Sequence, residues 1–200
     1  MRLTGALAVM LALVAAPAAA QQFETCEKVE RDAVLEALAG AEKVVLRAAV
    51  SVGDTPEYRR WFGPYSKENA AVVRAAFKSI HIAIRDAEIK IVCANIGEED
   101  CDRQMYANVW SHDHYRINLC PAFFSMPRMY AFPQGSEEME NGSREGTIIH
   151  EMSHFDVVAR TDDICYSRSA CSDRALRRQE VLIRNADSYQ YFAEDISYLP

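Results

Sequence analysis

The chain has 200 residues and a mass of 22.5 kDa, with 50% hydrophobic and 26% charged side chains, the composition of an ordinary globular protein with one domain as the default. Its 29 acidic and 22 basic side chains leave a formal charge of -7. No Lys/Arg cluster stands out, which argues against electrostatic capture of nucleic acid or an anionic membrane and favours a cationic partner.

Residues 1–20 read as a removable export signal. Arg2 supplies a short positive start, Leu7 to Val14 an apolar run short for a membrane span, and Ala18-Ala19-Ala20 a small-residue cleavage site. The expected organisation is therefore a signal peptide over 1–20 and one domain over 21–200, secreted to the medium or periplasm, monomeric and free of the membrane after cleavage. Cys26, Cys93, Cys101, Cys120, Cys165 and Cys171 all follow the cleavage point, and an even count in an exported chain favours three disulfides over free thiols. Spacing alone selects one local pair, Cys165 with Cys171.

In chain order, Val34, Leu38, Ala41, Val45 and Ala48 recur at helical spacing between Glu27 and about Val50. Asp54-Thr55-Pro56 and Gly63-Pro64 mark a loop. Ser66 then caps a second helix, whose buried stripe is Val73, Ala76, Phe77, Ile80 and Ile84. Residues 88–93 and 105–110 are rich in branched and aromatic side chains, and 115–119 return as a strand across a turn at His112 to His114, so a small antiparallel sheet is expected. Ser125 to Arg144 contains two prolines, Gly135 and Asn141-Gly142, and reads as mostly loop. Helical spacing resumes over 147–158 and again at Leu182, Ala186, Tyr189, Ala193 and Ile196. The expected class is α+β, mainly helical.

The chemistry concentrates in His150-Glu151-Met152-Ser153-His154. On a helix, residues four apart share a face, so both imidazoles can bind one zinc ion while Glu151 reaches the water that the ion activates. With 5 histidines in 200 residues, chance yields only about 0.1 such pairs before the glutamate is required. A hydrolytic zinc takes three protein ligands and leaves one position open. The extended motif with a third histidine fails, because Val157 replaces its glycine and Arg160 its histidine. A glutamate from a later helix, Glu180 or Glu194, and Asp163, nine residues beyond His154, remain as candidates.

At this point the sequence resembles the deuterolysin and peptidyl-Lys metalloendopeptidase family, the aspzincins, whose signature follows His-Glu-x-x-His with Gly-Thr-x-Asp-x-x-Tyr-Gly. Here Arg160-Thr161-Asp162-Asp163-Ile164-Cys165-Tyr166-Ser167 matches at threonine, aspartate and tyrosine. Gly146 to Phe155, Trp61-Phe62-Gly63 and Asn185 to Glu194 are similar to further family segments. The resemblance implies a single zincin-like catalytic domain over 21–200. It further implies one Zn2+ held by His150, His154 and Asp163, Glu151 as general base and Tyr166 as oxyanion donor. It also implies Cys26–Cys93 and Cys101–Cys120 disulfides, with Cys165 and Cys171 as an addition. Arg160 and Ser167 stand where the family has glycines. If those glycines need positive φ, the turn here must be built differently, held by a Cys165–Cys171 bridge.

In lysine-specific members, acids on the last helix line the pocket for the residue after the cut. Asp187 matches one, and Gln190 replaces the other. Losing one charge-assisted hydrogen bond of about 1.5 to 3 kcal/mol weakens a lysine preference without removing it. The alternative for Asp187 is an exposed helix carboxylate. His112 and His114 sit at a turn where polar residues are expected anyway, Asn141-Gly142-Ser143 is a glycosylation sequon, and the C-terminal tyrosines read as core. The expected function is a secreted zinc endopeptidase acting on Lys-containing proteins or peptides. The rivals are an inactive pseudopeptidase serving as a binding module and a Glu-liganded zinc peptidase.

Overall fold

Helix α1 (Lys28–Ser51) forms on the predicted stripe. Its N-terminus is closed by a capping box in which the Glu30 side chain accepts from the Glu27 amide at 2.7 Å. The structure, a computed structural model, describes residues 21–177 and 179–199, so the expected signal over 1–20 lies outside the described residues. Helix α2 (Pro56–Phe62) occupies the stretch read as loop. The turn residues are its ends: Thr55 accepts from the Tyr58 amide at 3.1 Å, Pro56 opens the first turn, and Gly63 closes it at φ 80°. Between them Tyr58, Trp61 and Phe62 are buried, and that packing makes the segment helical. Ser66 caps α3 (Lys67–Asp86) through the Asn69 amide at 3.0 Å, as expected.

Four short strands, β1 (Gln22–Glu24), β2 (Lys90–Cys93), β3 (Ala107–Asn108) and β4 (Arg116–Leu119), form one sheet in the order β1-β2-β4-β3. The expectation of an antiparallel sheet is corrected to a mixed one: β3 and β4 pair antiparallel, but β2 lies parallel to both β1 and β4. Parallel neighbours need a crossover. Helices α1 to α3 provide it between β1 and β2. The chain after β2 passes the end of β4 before β3 begins, so the β3–β4 hairpin docks with β4 beside β2. Cys26–Cys93 and Cys101–Cys120 tie the strand ends and this passing loop together, and Cys165–Cys171 is also formed.

Helix α4 (Arg144–His154) carries the paired histidines and stops sooner than the periodicity suggests. Phe155 leaves helical geometry at ψ 134° and turns its ring into the core against Tyr115. Helix α5 (Arg168–Arg177) has no apolar stripe for a sequence reading to find. Helix α6 (Ala186–Tyr198) closes the fold. Tyr189, buried as expected, meets Phe62 and Phe77 edge-on, and Tyr58 packs on Phe62 and Phe192 on Phe77, in an aromatic cluster joining α2, α3 and α6. No helix among the described residues is long and apolar enough to cross a membrane.

Helices α4 and α6 approach closely at Gly146, where a Cβ would fall 2.0 Å from Glu194 Oε1. Glu194 accepts from both the amide (2.8 Å) and the hydroxyl (2.7 Å) of Ser143, and that hydroxyl caps α4 by accepting from the Gly146 amide. The serine of the sequon is thus a buried structural residue. The Arg168 guanidinium reaches Glu194 and Asp195 together and donates to the Met139 carbonyl, while Asp195 also accepts from Trp61 Nε1 at 2.8 Å. Burial pushes the Glu194 carboxyl upward, and Arg168 pulls against it. Burial opposes the Arg168 charge too, but Glu194 and Asp195 overcome it and hold the group protonated. Arg168→Ala should therefore leave two buried carboxylates uncompensated and cost about 3 to 5 kcal/mol in a urea titration. A loss below 1 kcal/mol would show the cluster to be incidental.

Candidate active site

His150 and His154 lie one turn apart on α4 with ring centroids 4.8 Å apart. The turn after α4 returns Asp163 to them: its Oδ1 is 3.1 Å from His150 Nε2 and 3.3 Å from His154 Nε2. Both Nδ1 atoms face away from this point and are occupied. His150 Nδ1 contacts Asp187 Oδ1 at 2.7 Å, and His154 Nδ1 contacts the Thr161 carbonyl at 3.0 Å. Each acceptor takes the Nδ1–H and leaves Nε2 facing Asp163, the nitrogen that can offer its lone pair to a metal once it gives up its proton. Two imidazole nitrogens and one carboxylate, all within 4.8 Å of one another, form the one group of this kind among the described residues. This donor set suits a catalytic zinc with one position open. It draws on neither His112 nor His114.

The electrostatics suit a cation at the point where these three groups meet. Burial disfavours imidazolium at His150, yet Asp163 and Asp187 hold its pKa well above the ordinary value, and Asp163 raises His154 against the same burial penalty. Burial alone would raise the Asp163 carboxyl; the two imidazoles instead hold it far below the carboxylate range. A divalent ion at the same point replaces those protons. Burial raises the pKa of Glu151, the residue between the histidines in sequence, and the imidazoles lower it. Tyr166 is raised by burial and by Asp163.

These residues open onto a groove of about 1470 Å³ lined also by Glu138, Trp110 and the β3 segment. That is large for a small-molecule pocket and fits several residues of extended polypeptide. Asp187 and Gln190 line it as well, but both are buried. Asp187 is neither an exposed helix carboxylate nor a free pocket acid, since one oxygen belongs to His150. The Gln190 amide donates to the Asn141 carbonyl at 3.3 Å. Of the other candidate ligands, Glu194 is committed to Ser143 and Arg168, and the Glu180 side chain lies outside the described residues.

Two supporting residues escaped the sequence reading. Thr161 holds His154 through its carbonyl and joins Ser153 by a 2.6 Å hydroxyl contact. Asn185 Oδ1 accepts from the Ile164 and Cys165 amides at 3.0 and 3.1 Å, bracing the turn behind Asp163. A threonine in the signature and an asparagine just before a helix were the available signals.

The sequence profile of lysine-specific metallo-endopeptidases, the aspzincins, matches residues 47–194. The chain belongs to this family. An extracellular protease of Aeromonas hydrophila is 30% identical over 85% of the chain and 46% of its own length. A peptidyl-Lys metalloendopeptidase of Armillaria mellea is 33% identical over 70% of the chain and 36% of its own length. The chain thus spans about half or less of these two curated relatives. A zinc peptidase from Grifola frondosa has the same fold, with a TM-score of 0.72 at 24% identity, covering 86% of this chain and 99% of that one.

The aspzincin glycine positions are informative. Arg160 has φ 53° and Ser167 φ 71°, so both positions take a left-handed backbone without glycine, and the expected Cys165–Cys171 bridge is present. A left-handed non-glycine residue carries about 1 to 2 kcal/mol of strain, partly offset by the lower chain entropy lost on folding. Arg160→Gly and Ser167→Gly should each stabilise the fold by about 0.5 to 1 kcal/mol. A lowered melting temperature in both variants would contradict this reading.

Proposed function

We propose that the chain is an exported zinc endopeptidase, with residues 1–20 its removable signal and 21–200 its peptidase domain. The observation that carries this reading is the convergence of His150, His154 and Asp163 beside the buried carboxyl of Glu151, on the floor of a groove wide enough for a peptide. Three disulfides and the name of the Aeromonas relative support export. His150, His154 and Asp163 would hold zinc, whose Lewis acidity polarises a scissile carbonyl and makes water a competent nucleophile near neutral pH.

The chain's own residues do the rest. Glu151 accepts the proton of the attacking water and delivers it to the leaving amine; its burial strengthens it as a base. The Tyr166 hydroxyl, on the groove wall beside Asp163, donates to the oxyanion that develops on the carbonyl. Asp187 and Thr161 keep both imidazoles in register through their Nδ1 atoms. The groove wall carries Glu138, Glu151, Asp163 and Asp187, which favours a cationic residue after the cut. Because Gln190 is neutral and Asp187 is shared with His150, that preference for lysine is weaker than a two-acid pocket would impose.

Metal analysis of purified protein should find one zinc per chain, lost in Asp163→Ala. An Asp163→Ala chain that kept its metal would remove the aspartate from the ligand set. Glu151→Gln should keep zinc and lose about 10² to 10⁴ in turnover. Tyr166→Phe should keep zinc and lose about 10² to 10³ in kcat. Near-normal rates in a zinc-replete variant would withdraw that residue's role. Mass mapping of cleavage sites on an unfolded protein should show lysine enriched after the cut with other residues tolerated, and Gln190→Glu should sharpen the enrichment. A map without lysine enrichment overturns the specificity.

A further inference from the structure

The aspzincin signature surrounds its aspartate and tyrosine with glycines; this chain has Arg160 and Ser167 there, both left-handed, and adds a cysteine between the aspartate and the tyrosine. Such a turn tends to relax unless its surroundings hold it. Its first half is well held. The Asp162 amide donates to the Arg184 carbonyl at 2.6 Å, the Ala186 amide to the Asp162 carbonyl at 3.0 Å, and Asn185 Oδ1 takes the Ile164 and Cys165 amides. The second half is held less. Among the described residues no hydrogen bond engages the Tyr166 or Ser167 amide; the Ser167 carbonyl accepts from the Cys171 amide at 3.0 Å, its hydroxyl from the Ala170 amide at 3.4 Å, and the Arg168 amide donates to the Glu140 carbonyl. Tyr166 itself is 62% exposed.

The Cys165–Cys171 bridge reinforces this lightly held stretch, closing a short ring that contains Tyr166 and Ser167 and fastening Cys165, on the Asp163 side, to the first turn of α5. Cys171 is buried, with its Sγ 3.7 Å from Asp187 Oδ2 and 3.8 Å from Asn185 Nδ2. Those two residues are the ones that orient His150 and brace the turn behind Asp163. The bridge therefore touches the supports of two ligands and encloses the proposed oxyanion donor.

We propose that the Cys165–Cys171 bridge is a positioning device for the metal centre, holding Asp163 and Tyr166 in a turn that the family otherwise builds with glycine. The inference rests on the zinc-peptidase reading for its purpose, but its test is made on metal affinity and backbone protection, which require no substrate.

The experiment compares the full chain, Cys165→Ala/Cys171→Ala, and the same pair with Arg160→Gly and Ser167→Gly added. Zinc affinity is read by competition with a chelating dye, amide exchange by mass spectrometry on metal-free protein, and global stability by thermal melting. In the bridgeless chain the exchange of Tyr166 and Ser167 should accelerate at least tenfold while α1 and α3 keep their protection. Zinc affinity should fall at least tenfold, and kcat on a peptide should fall far more than KM rises. Added glycines should recover a substantial part of the lost affinity, since they remove the strain that opens the turn. Unchanged affinity and exchange would overturn the proposal. So would a loss of protection throughout the chain that the glycines do not repair, since that marks a purely global staple. If the bridgeless chain fails to fold, the glycine-containing form decides: failure there as well overturns the proposal. Full zinc binding by the unaltered chain with no cleavage of any peptide would instead sink the peptidase reading and leave the affinity and exchange comparison intact.

Discussion

The fold depends on the buried carboxylate of Glu194. It sits at the closest approach of α4 and α6, over Gly146, and is satisfied by Ser143 from one helix and Arg168 from the start of another. Ser143 and His150 are seven residues apart, as are Asp187 and Glu194, and seven residues are about two helical turns. Glu194 meets Ser143 and Asp187 meets His150, so the two helices run antiparallel in one register with a contact pair at each end of the repeat. The polar pair at the α4 N-terminus thereby fixes where Asp187 stands relative to the imidazole two turns further on. A charge buried this deeply is costly unless every oxygen is met, and that demand makes the register discriminating.

The same cluster carries the positioning outward. Asp195, next to Glu194, takes Trp61 from α2 and shares Arg168, whose guanidinium lies 4.7 Å from the centre of the Tyr191 ring. Arg168 opens α5 immediately beyond the turn bearing Asp163 and Tyr166. One buried cation thus sets the far end of that turn while Asn185 and Asp162 set the near end. The ligand helix, the aspartate turn and the helix that buttresses both are all referred to Glu194 and Asp195. The sheet contributes differently: its short mixed strands, tied by two disulfides, supply the opposite wall of the groove through β3.

Much of this was legible in the sequence, and the exceptions have physical causes. The long helices announced themselves because each buries a continuous stripe, as Val34 to Ala48 and Val73 to Ile84 do. The paired histidines were legible because a helix translates a spacing of four directly into proximity. Spacing offered the Cys165–Cys171 pair and left Asp163 among three candidate ligands; the choice of Asp163 and the Cys26–Cys93 and Cys101–Cys120 pairs came through resemblance to a family, since no local rule says which distant residues meet. Helix α2 was hidden because the same prolines, glycines and threonines that mark loops also cap short helices. Helix α5 was hidden because its stability comes from the salt-bridged Arg168 and from Cys171 rather than from a stripe. Strand direction was hidden because alternation identifies a strand and its faces, whereas parallel or antiparallel pairing is set by the route between strands.

Asp187 shows how far a position-by-position transfer of function can be trusted. Its Oδ1 meets the His150 imidazole, its Oδ2 lies 3.7 Å from Cys171 Sγ, and the residue lines the groove in which the proposed substrate would lie. In this chain the imidazole holds Oδ1 at 2.7 Å, and such a carboxylate makes the histidine a stronger metal ligand. An ammonium arriving beside the same carboxylate competes for its charge and weakens its hold on His150. A second acid at position 190 would relieve that competition; Gln190 can accept a hydrogen bond but cannot share the charge. On the function proposed above, substrate cation and metal ligand would be coupled through one side chain, and any gain in lysine binding at Asp187 would be drawn from the interaction that orients His150. On the same proposed function, the groove's negative wall, to which Glu138 also contributes, would bias toward cationic residues, whereas strict selection by a buried ion pair at Asp187 would oppose the proposed metal centre.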